Sequence, residues 1–369
     1  MKKGITYVAM DDSKRKIVAG ILQPGAAQPE LRQIPNEPRL IRRLFERLKR
    51  EGPVRACYEA GPSGYELYRQ LTTLGVPCQV MAPALTPRKP GERIKTNQRD
   101  AAKLVRLFRA GELTPIHVPD EAQEAVRDML RCREDLQEEL LRWRHRLLKF
   151  LFRHGWVYRE GKHWSHRHWA WLRSLRVEDP VLARTLHEYL LTVEHLLARR
   201  ADIEREIEAL AQGERYREPV GWLRCFRGIN TLSAMTLLVE VQDFQRFQSP
   251  RELMAFLGLV PSEYSTGEQE RRGSITKAGN SHARRILVEA AWHYRHAPRI
   301  GGSLAARSLG QPSEVRAQAW RAQQRLHRRY RHLVGRGKRA PVAVVAVARE
   351  LVGFIWAAML RAHRPANAA

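Results

Sequence analysis

Short apolar runs alternate with amphipathic segments over the first 119 residues of the chain. Four runs are bounded by polar or turn-forming residues, as buried strands are, and they cover 5–10, 17–22, 54–58 and 78–81. Apolar residues recur at helical spacing in 38–51 and in 63–74, which ends at Gly75, and a further helix is predicted to begin at Asp100. Strands that alternate with helices in this way predict an α/β sheet with covered faces.

From residue 120 onward the pattern becomes helical. Between 120 and 215, apolar residues fall four and seven positions apart, which predicts two long helices folded into an antiparallel hairpin. A compact helical domain is predicted for 216–369, so we expect three domains, 1–119, 120–215 and 216–369. Within the last of them, the apolar stretch 341–360 has Arg349 and Glu350 at its centre, which favours a core helix over a membrane span.

A segment rich in Trp and His, 161–171, lies between the two long helices. Three His in six residues could hold a metal, although no Cys accompanies them. Aromatic rings interleaved with basic groups are typical of stacking on unpaired bases. Packing of the Trp rings at the tip of the hairpin explains the same composition, so the sequence leaves these alternatives open.

The charge of the chain is far from balanced. It has 65 Lys and Arg against 39 Asp and Glu, a formal net charge of +26 and a pI near 10.7. This surplus indicates a polyanionic partner, nucleic acid first and an anionic membrane surface second, although no basic amphipathic anchor is evident. Residues 270–340 carry 17 basic and three acidic side chains, a net +14, so this region is predicted to contact nucleic-acid backbone.

The four cysteines are scattered and form no pair at metal-binding spacing. Neither a disulfide framework nor a structural zinc site is therefore expected, and a reducing cytoplasm is the predicted location. The N-terminal apolar run is short and ends in Asp11 and Asp12, so we interpret it as a buried strand rather than a signal peptide.

Three acidic residues stand at the ends of predicted elements. Asp11 ends the first strand, Glu59 ends the third, and Asp100 begins the helix after a basic loop. Carboxylates that converge at a sheet edge repel one another unless cations bind between them, and two such cations can assist phosphoryl transfer. Each acid also has a simpler explanation, as a turn former, an ion-pair partner or a helix N-terminal charge.

A second candidate site lies in 258–267, GLVPSEYSTG, which is followed by the basic segment 271–280. Two neighbouring hydroxyl residues, Ser265 and Thr266, precede Gly267 in what is predicted to be a mobile loop. A hydroxyl in such a place could attack a phosphate. A phosphate-positioning loop, or simple turn chemistry, explains the same residues.

Six segments follow one another in order between residues 5 and 296: MDDSK, YEAGPSGY, IKTNQRDAAKLVRL, FRGINTLSAMTLL, GLVPSEYSTG and ITKAGNSHARRILVEAAW. The series resembles the DEDD insertion-sequence transposases of the IS110 family, and within it the IS1111 subgroup. The resemblance implies an α/β RuvC-like (RNase H-like) N-terminal domain, a helical coiled-coil hairpin and a mainly α C-terminal transposase domain with a catalytic serine. It further implies a divalent metal, Mg²⁺, and a non-coding bridge RNA that guides the choice of donor and target DNA.

The resemblance assigns roles to individual acids. Asp11 matches the first acid of the DEDD set, Glu59 the second and Asp100 the last, so these three are the expected metal ligands. Asn97 stands where the third Asp is usual. Its amide oxygen can still bind a hard cation, but it carries no charge.

The resemblance also places Ser265 and Thr266 in the serine motif of the family. We assign the nucleophile to Ser265, because its primary hydroxyl is less crowded, and keep Thr266 as the second candidate. Residues 227–230 resemble a helix-hairpin-helix turn that holds a phosphate on backbone N–H groups, with Asn230 in place of a Gly because Asn tolerates left-handed backbone. The residues expected to contact nucleic acid are Lys95, Arg99, Gly228, Arg271, Arg272, Lys277, Arg284, Arg285, Arg325, Arg328, Arg329 and Arg331.

The resemblance implies an RNA-guided, site-specific recombinase of an insertion sequence, which cuts and rejoins DNA through a phosphoserine intermediate. Because the carboxylates and the hydroxyl lie in different domains, a site shared between protomers is predicted, and with it a dimer or tetramer. Two alternatives stay open. One is a junction-resolving, metal-dependent nuclease that uses water, and the other is a non-catalytic nucleic-acid-binding protein.

Overall fold

The computed structural model describes residues 4–87, 96–264, 266, 269 and 271–362. The chain divides into two compact units, Met1–Pro119 and Asp120–Ala369. The division falls where the alternating strand and helix pattern gives way to a helical one. The second unit contains both the long hairpin and the C-terminal helices, because residues at the base of the hairpin, Leu130 and Ile207, are buried in the C-terminal core.

Within its described residues, the first unit is a five-stranded sheet with three α-helices. The strands are β1 (Thr6–Asp12), β2 (Lys16–Leu22), β3 (Glu30–Pro35), β4 (Val54–Glu59) and β5 (Cys78–Met81), and the helices are α1 (Pro38–Glu51), α2 (Glu66–Thr73) and α3 (Asn97–Ala110). The strand order is β3-β2-β1-β4-β5. Strand β2 is antiparallel to β1 and β3, whereas β4 is parallel to β1 and β5. The predicted α/β sheet is confirmed.

Strand β3 is the one strand of this sheet that the apolar pattern did not predict. It is an edge strand, hydrogen-bonded to β2 in the described sheet, and its second residue, Leu31, is 41% exposed. An edge strand that faces solvent needs few apolar residues, since its backbone bonds to its neighbour whatever its side chains are. The sequence ELRQIP therefore carried too weak a signal.

The two faces of the sheet bury different helices. Helices α1 and α2 pack on the face that holds Val8 and Met10, and α3 packs on the face that holds Ala9 and Cys57. Helix α3 approaches β2 at Gly20, where an added Cβ would lie 2.7 Å from the carbonyl oxygen of Ala101. A side chain at this position would push the helix away from the sheet.

The second unit begins with a helical hairpin, formed by α4 (Glu121–Arg153) and α6 (Pro180–Leu210), with the short α5 (His166–Ser174) between them. Contacts between the two long helices involve later residues of α4 and earlier residues of α6 as one moves along the hairpin. Arg133 bonds to Glu204, Gln137 accepts a bond from Arg200, and Trp143 packs against Tyr189. The two helices are thus antiparallel, as predicted.

The Trp and His segment forms a packed cluster of rings at the tip of this hairpin. His168 is fully buried, accepts a hydrogen bond at Nδ1 from the backbone N–H of Trp164, and stacks on Trp171 with a ring separation of 5.7 Å. Burial lowers the pKa of His168 to about 4, which keeps the ring neutral near pH 7. Among the described residues, no group of His, Cys, Asp or Glu is arranged to hold a metal ion. Ring packing is therefore what the structure shows for this segment.

The rest of the second unit is a helical core with one small hairpin. Its elements are α7 (Glu214–Arg224), α8 (Thr231–Val241), α9 (Pro250–Phe256), β6 (Pro261–Glu263), β7 (Arg272–Ile275), α10 (Ser281–Ala291), α11 (Gly302–Ser308), α12 (Ser313–Gly335) and α13 (Ala340–Ala362). Of the described helices, α13 alone is long and apolar enough to cross a membrane. Its residues Val344, Val347 and Leu351 are fully buried in the core, which confirms the prediction of a core helix.

Candidate functional site

Two of the three candidate acids share one face of the sheet. Along β1, Tyr7 and Ala9 face α3, and the alternation of side chains places Asp11 on the same side. The parallel register pairs Met10 with Tyr58, so the next residues along the two strands, Asp11 and Glu59, are neighbours at the same end. Glu59 follows Cys57 by two positions and so shares its face.

The third acid reaches this end through helix α3. The rings of Phe108 and Tyr7 pack edge to face with centroids 5.5 Å apart, and Ala101 lies over Gly20. The C-terminal end of α3 thus lies over the start of β1, so its first turn lies toward the end of β1 where Asp11 stands. Asp100 is in that first turn and is partly buried.

Helix α3 begins three residues earlier than the sequence predicted. Thr96 is its N-cap and accepts a hydrogen bond from the backbone N–H of Arg99, so Asn97 is the first helical residue. The prediction was wrong because Thr96, also one of the residues favoured at helix N-caps, caps the helix before Asp100 is reached. As a result, Asn97 and Asp100 lie one turn apart on the same side of the helix.

The carboxylates at this end of the sheet differ in their partners. Oε1 of Glu59 accepts a hydrogen bond of 2.7 Å from the hydroxyl of Thr86. Asp12 lies on the opposite face from Asp11, and its Oδ1 accepts a bond of 2.9 Å from Nδ2 of Asn36. Carboxylate oxygens are the ligands that Mg²⁺ prefers, so the donor chemistry at Asp11, Glu59 and Asp100 suits a hard cation. Across the described ranges, however, no three acidic, His or Cys side chains are arranged as a metal cluster.

The described residues on either side of Ser265 include two paired strands that the sequence did not predict. Strands β6 and β7 are antiparallel, and beyond them the backbone N–H of Tyr264 bonds to the carbonyl of Arg271. Thr266 and Gln269 exchange two backbone hydrogen bonds of 3.3 Å each. Ser265 lies outside the described residues, as does Lys95. The sequence did not predict β6 and β7 because their pairing residues are mostly polar and so show no strand pattern.

At the base of this hairpin, the segments 256–260 and 276–280 are joined by backbone hydrogen bonds. The backbone N–H groups of Thr276, Lys277 and Asn280 bond to the carbonyls of Val260, Gly258 and Phe256. Lys277 has a φ of +54°, which is rare for a residue with a side chain. Backbone in this region is found at functional sites more often than elsewhere, and Lys277 is exposed beside the hairpin.

Replacing Gly279 by Ala is expected to lower the free energy of unfolding by about 2 kcal/mol or more. Its φ is +117°, and an added Cβ would overlap the carbonyl oxygen of Phe256. Gly335 is the matched control, since nothing lies within 4 Å of its added Cβ. Gly335→Ala, in helix α12, is expected to be neutral or slightly stabilising. Urea unfolding of both variants measures the difference, and equal midpoints would contradict it.

A buried acid holds the segment 276–280 in place, and the sequence analysis did not single it out. Glu240 on α8 is 94% buried, and Nε and Nη2 of Arg131 donate to its two carboxylate oxygens at 3.0 and 3.1 Å. Nδ2 of Asn280 donates a third bond of 2.6 Å. A lone acid in the apolar helix TLSAMTLLVEV is the signal that could have indicated a buried partner, because an unpaired charge is costly to bury.

The turn at 227–230 is packed against the helical core. Gly228 has a φ of +86°, and an added Cβ would lie 2.7 Å from the carbonyl oxygen of Ala290. Asn230 is not left-handed, contrary to our expectation: its φ is −102°, and its side chain caps α8 by accepting a bond from the N–H of Ser233. The capping role explains Asn at this position, since Asn is among the best N-cap residues.

Two family profiles match the chain, one over each part of the candidate site. The DEDD transposase domain of the IS110 group matches residues 8–154, which contain Asp11, Glu59 and Asp100. The profile described as transposase IS116/IS110/IS902 family matches residues 222–303, which contain Ser265.

Individual relatives extend the likeness over most of the chain. A putative transposase of Sinorhizobium fredii, y4qE, is 46% identical over 82% of this chain and 74% of its own length. The transposase for insertion sequence element IS1533 of Leptospira borgpetersenii is 37% identical over 92% of this chain and 99% of its own. The chain belongs to the IS110 family of insertion-sequence transposases. It is therefore an enzyme of DNA strand cleavage and transfer, and the prediction of DNA as a partner is confirmed.

A more distant relative is the transposase for insertion sequence element IS1111A of Coxiella burnetii. It is 24% identical to this transposase over 61% of each chain.

Some basic side chains of the transposase pair with acids or carbonyls of the protein itself, whereas others are exposed and form no such ion pair in the described part of the chain. Several that were expected to contact nucleic acid are engaged within the protein: Arg284 donates to the carbonyl of Leu257, Arg285 pairs with Glu134 and Glu289, Arg272 with Glu263, and Arg325 and Arg329 with Glu350. Acids outside the window 270–340 thus offset part of its surplus charge, since Glu134, Glu263 and Glu350 pair with arginines inside it.

Helix α12 carries both kinds of arginine, those paired with an acid of the protein and those without an ion pair in the described residues. Arg328 bonds only to the carbonyl of Gln324 on its own helix, and Arg331 forms no ion pair with the part of the chain that the structure describes. Both are exposed. Arg328 and Arg331 are thus the stronger candidates for phosphate contacts on this helix, ahead of Arg325 and Arg329.

The double variant Arg328→Gln, Arg331→Gln is expected to reduce the slope of log affinity for DNA against log salt by about two units. The matched control is Arg325→Gln, Arg329→Gln, for which we expect a smaller change, because Glu350 already pairs with both side chains. Anisotropy titrations with duplex DNA at several salt concentrations measure both slopes. Equal changes would show that the ion pairs open when DNA binds.

Proposed function

We propose that this transposase breaks and rejoins DNA with two sets of side chains, a carboxylate set in the first unit and a hydroxyl on the β6–β7 hairpin of the second. The observation that carries the proposal is the register of the sheet. It sets Asp11 beside Glu59, and the packing of α3 directs Asp100 toward the same end of the same face. A RuvC-like (RNase H-like) fold for the first unit accords with this sheet, which bears helices on both faces.

The carboxylate set would hold magnesium through Asp11, Glu59 and Asp100. The support is chemical, since all three offer hard oxygen donors at one end of the α3 face, and Asn97 adds an amide oxygen from the same turn. When bound, the metal would stabilise negative charge on the oxygen that leaves phosphorus. The missing charge at Asn97 implies a weaker affinity for the second of two cations.

The hydroxyl set would act by nucleophilic substitution. Oγ of Ser265 attacks the phosphorus of a DNA phosphodiester and loses its proton, while the bond from phosphorus to the departing strand breaks and that oxygen gains a proton. The product is a phosphoserine ester. Because one ester replaces another, a hydroxyl of a second strand can reverse the step and rejoin the DNA. Arg271, Arg272 and Lys277 lie nearby in sequence and would neutralise the attacked phosphate.

Guidance by a non-coding bridge RNA and membership of the IS1111 subgroup are part of the proposal. The family membership and the net charge of +26 support the first, and the likeness to the IS1111A transposase supports the second. Sequencing of the RNA that co-purifies with the transposase tests the guide. A single structured transcript from the flank of the element is expected, and a random sample of cellular RNA would reject it.

We also propose that the two sets of side chains meet across protomers in a dimer or tetramer. Mixing a variant that lacks Asp11 with a variant that lacks Ser265 tests this arrangement. Activity that returns on mixing requires a shared site, whereas independent protomers would stay inactive.

A covalent adduct distinguishes the serine mechanism from a nuclease that uses water. The transposase is incubated with its RNA, labelled DNA and magnesium, and the products are separated on a denaturing gel. The proposal expects DNA that migrates with the protein after denaturation and is released by protease. Cleaved DNA without such an adduct would indicate the junction-resolving alternative.

A further inference from the structure

A groove in the second unit has walls formed by α9, the β6–β7 hairpin and the start of α13. Its volume is about 710 Å³, which is in the range of ligand-binding clefts. Apolar side chains line it, among them Met254, Ile275, Val342 and Val345. Val342 is 57% exposed, so a large apolar side chain here faces solvent.

Positive charge surrounds this apolar groove. Arg251, Arg329 and Arg349 are all among its lining residues. Arg329 pairs with Glu350 at 3.0 Å, whereas Arg251 and Arg349 are exposed and form no ion pair within the ranges that the structure describes. Two guanidinium groups without a carboxylate thus stand beside an open apolar surface, which suits a ligand with an apolar body and an anionic group.

One wall of the groove belongs to the hairpin that carries the candidate nucleophile. Pro261 is on β6, while Gly273, Ser274 and Ile275 are on β7. Besides the arginines, the hydroxyl of Ser274 and the carboxylate of Glu350, which also pairs with Arg325 and Arg329, lie beside the apolar walls. A carboxylate accepts hydrogen bonds from the amino groups of bases, and a hydroxyl can donate or accept.

We propose that this groove binds one unstacked nucleotide of the DNA on which the transposase acts. The base packs against Met254, Val342 and Val345, and the adjoining phosphates bind Arg251 and Arg349. A base removed from its stack exposes an apolar face to water, and an apolar groove offsets part of that cost. An apolar peptide is a poorer match, because it offers no anionic group to either arginine.

The inference goes beyond the serine mechanism and rests only on action on nucleic acid. Its test is therefore an equilibrium binding measurement without magnesium, in which no strand transfer is required. If the groove does not bind a base, the test for the covalent adduct is unaffected. If no covalent adduct forms, the binding test of the groove is unaffected.

The full-length chain is titrated with short single strands of DNA and of RNA, each in a normal form and in an abasic form that keeps every phosphate. The wild type is expected to bind the normal form about tenfold more tightly than the abasic form. Ala346→Phe, which fills the groove, is expected to remove most of this preference and to leave the affinity for abasic strands unchanged. Arg251→Gln, Arg349→Gln is expected to weaken binding of both forms alike.

Val342→Asp provides a second variant in case Ala346→Phe disturbs the core, since it places a negative charge on an exposed lip of the groove. Its matched control is Leu309→Asp, at an apolar residue that is 79% exposed and outside the groove. A base preference lost with Val342→Asp and kept with Leu309→Asp supports the proposal. The loss is expected with DNA strands, and a base preference found with RNA strands alone overturns the assignment to DNA. The proposal is overturned if both groove variants retain the preference for the normal strand over the abasic strand. It is also overturned if an acidic peptide binds in the groove of the wild type and this preference persists.

Discussion

Asp11→Asn is expected to reduce DNA strand exchange by about a thousandfold or more in the presence of magnesium. The substitution keeps the size of the side chain but removes the negative charge that the proposed metal site needs from β1. Asp11 is on the face of the sheet toward α3, beside Glu59, so the loss falls on the proposed ligand set. An assay of recombination between donor and target DNA measures the effect.

Asp12→Asn is the matched control for this variant. Asp12 is the next residue of the same strand and points to the opposite face, where Nδ2 of Asn36 donates to its carboxylate. We expect it to retain activity within a few-fold of the wild type, and both variants to keep the circular dichroism and RNA binding of the wild type. Full activity of Asp11→Asn, or equal losses in both variants, would remove Asp11 from the catalytic set.

Ser265→Ala is expected to abolish the covalent protein–DNA adduct, whereas Thr266→Ala is expected to retain it. The attack needs an unhindered oxygen, and the extra methyl of Thr266 crowds in-line approach and restricts its rotamers. Thr266 also exchanges backbone bonds with Gln269 in the hairpin, so its main contribution is to the shape of that turn. Denaturing gels followed by peptide mapping locate the adduct.

Ser262→Ala serves as a control within the same hairpin. The hydroxyl of Ser262 donates to the carbonyl of Ser274 at 3.1 Å, so it is already engaged and is not a candidate nucleophile. An adduct that survives in Ser265→Ala but vanishes in Thr266→Ala would move the assignment by one residue. Adducts that survive in both variants would exclude this hairpin as the source of the nucleophile.

The strands of the first unit show where sequence patterns suffice. Strands β1, β2 and β4 are largely buried and β5 buries Val80 and Met81, and buried positions of a strand are mostly apolar, so each appeared as an apolar run. Strand β3 and the hairpin around Thr266 are exposed and bonded mainly through their backbones. Backbone pairing leaves no mark on the sequence when the side chains face solvent, and both were missed.

For the candidate acids, too, the sequence determined some features and the tertiary structure others. Their positions at element ends could be read from the sequence, and so could the order of the family motifs. The sequence pattern alone did not show whether Asp11 or Asp12 faces α3. That depends on the register of β1 against its neighbours and on the helix packed above it.

The sequence by itself determined the class of elements, the family and the surplus of positive charge. Only the tertiary structure decided which arginines are available to a ligand. Arg131 meets Glu240 across 109 residues and Arg285 meets Glu134 across 151, while Arg251 and Arg349 line a groove with no acid paired to either in the described chain. Spacing along the chain governs contacts within one helix or strand, but contacts over such separations exist only after the helices have packed, since packing alone brings these charges within a few ångströms.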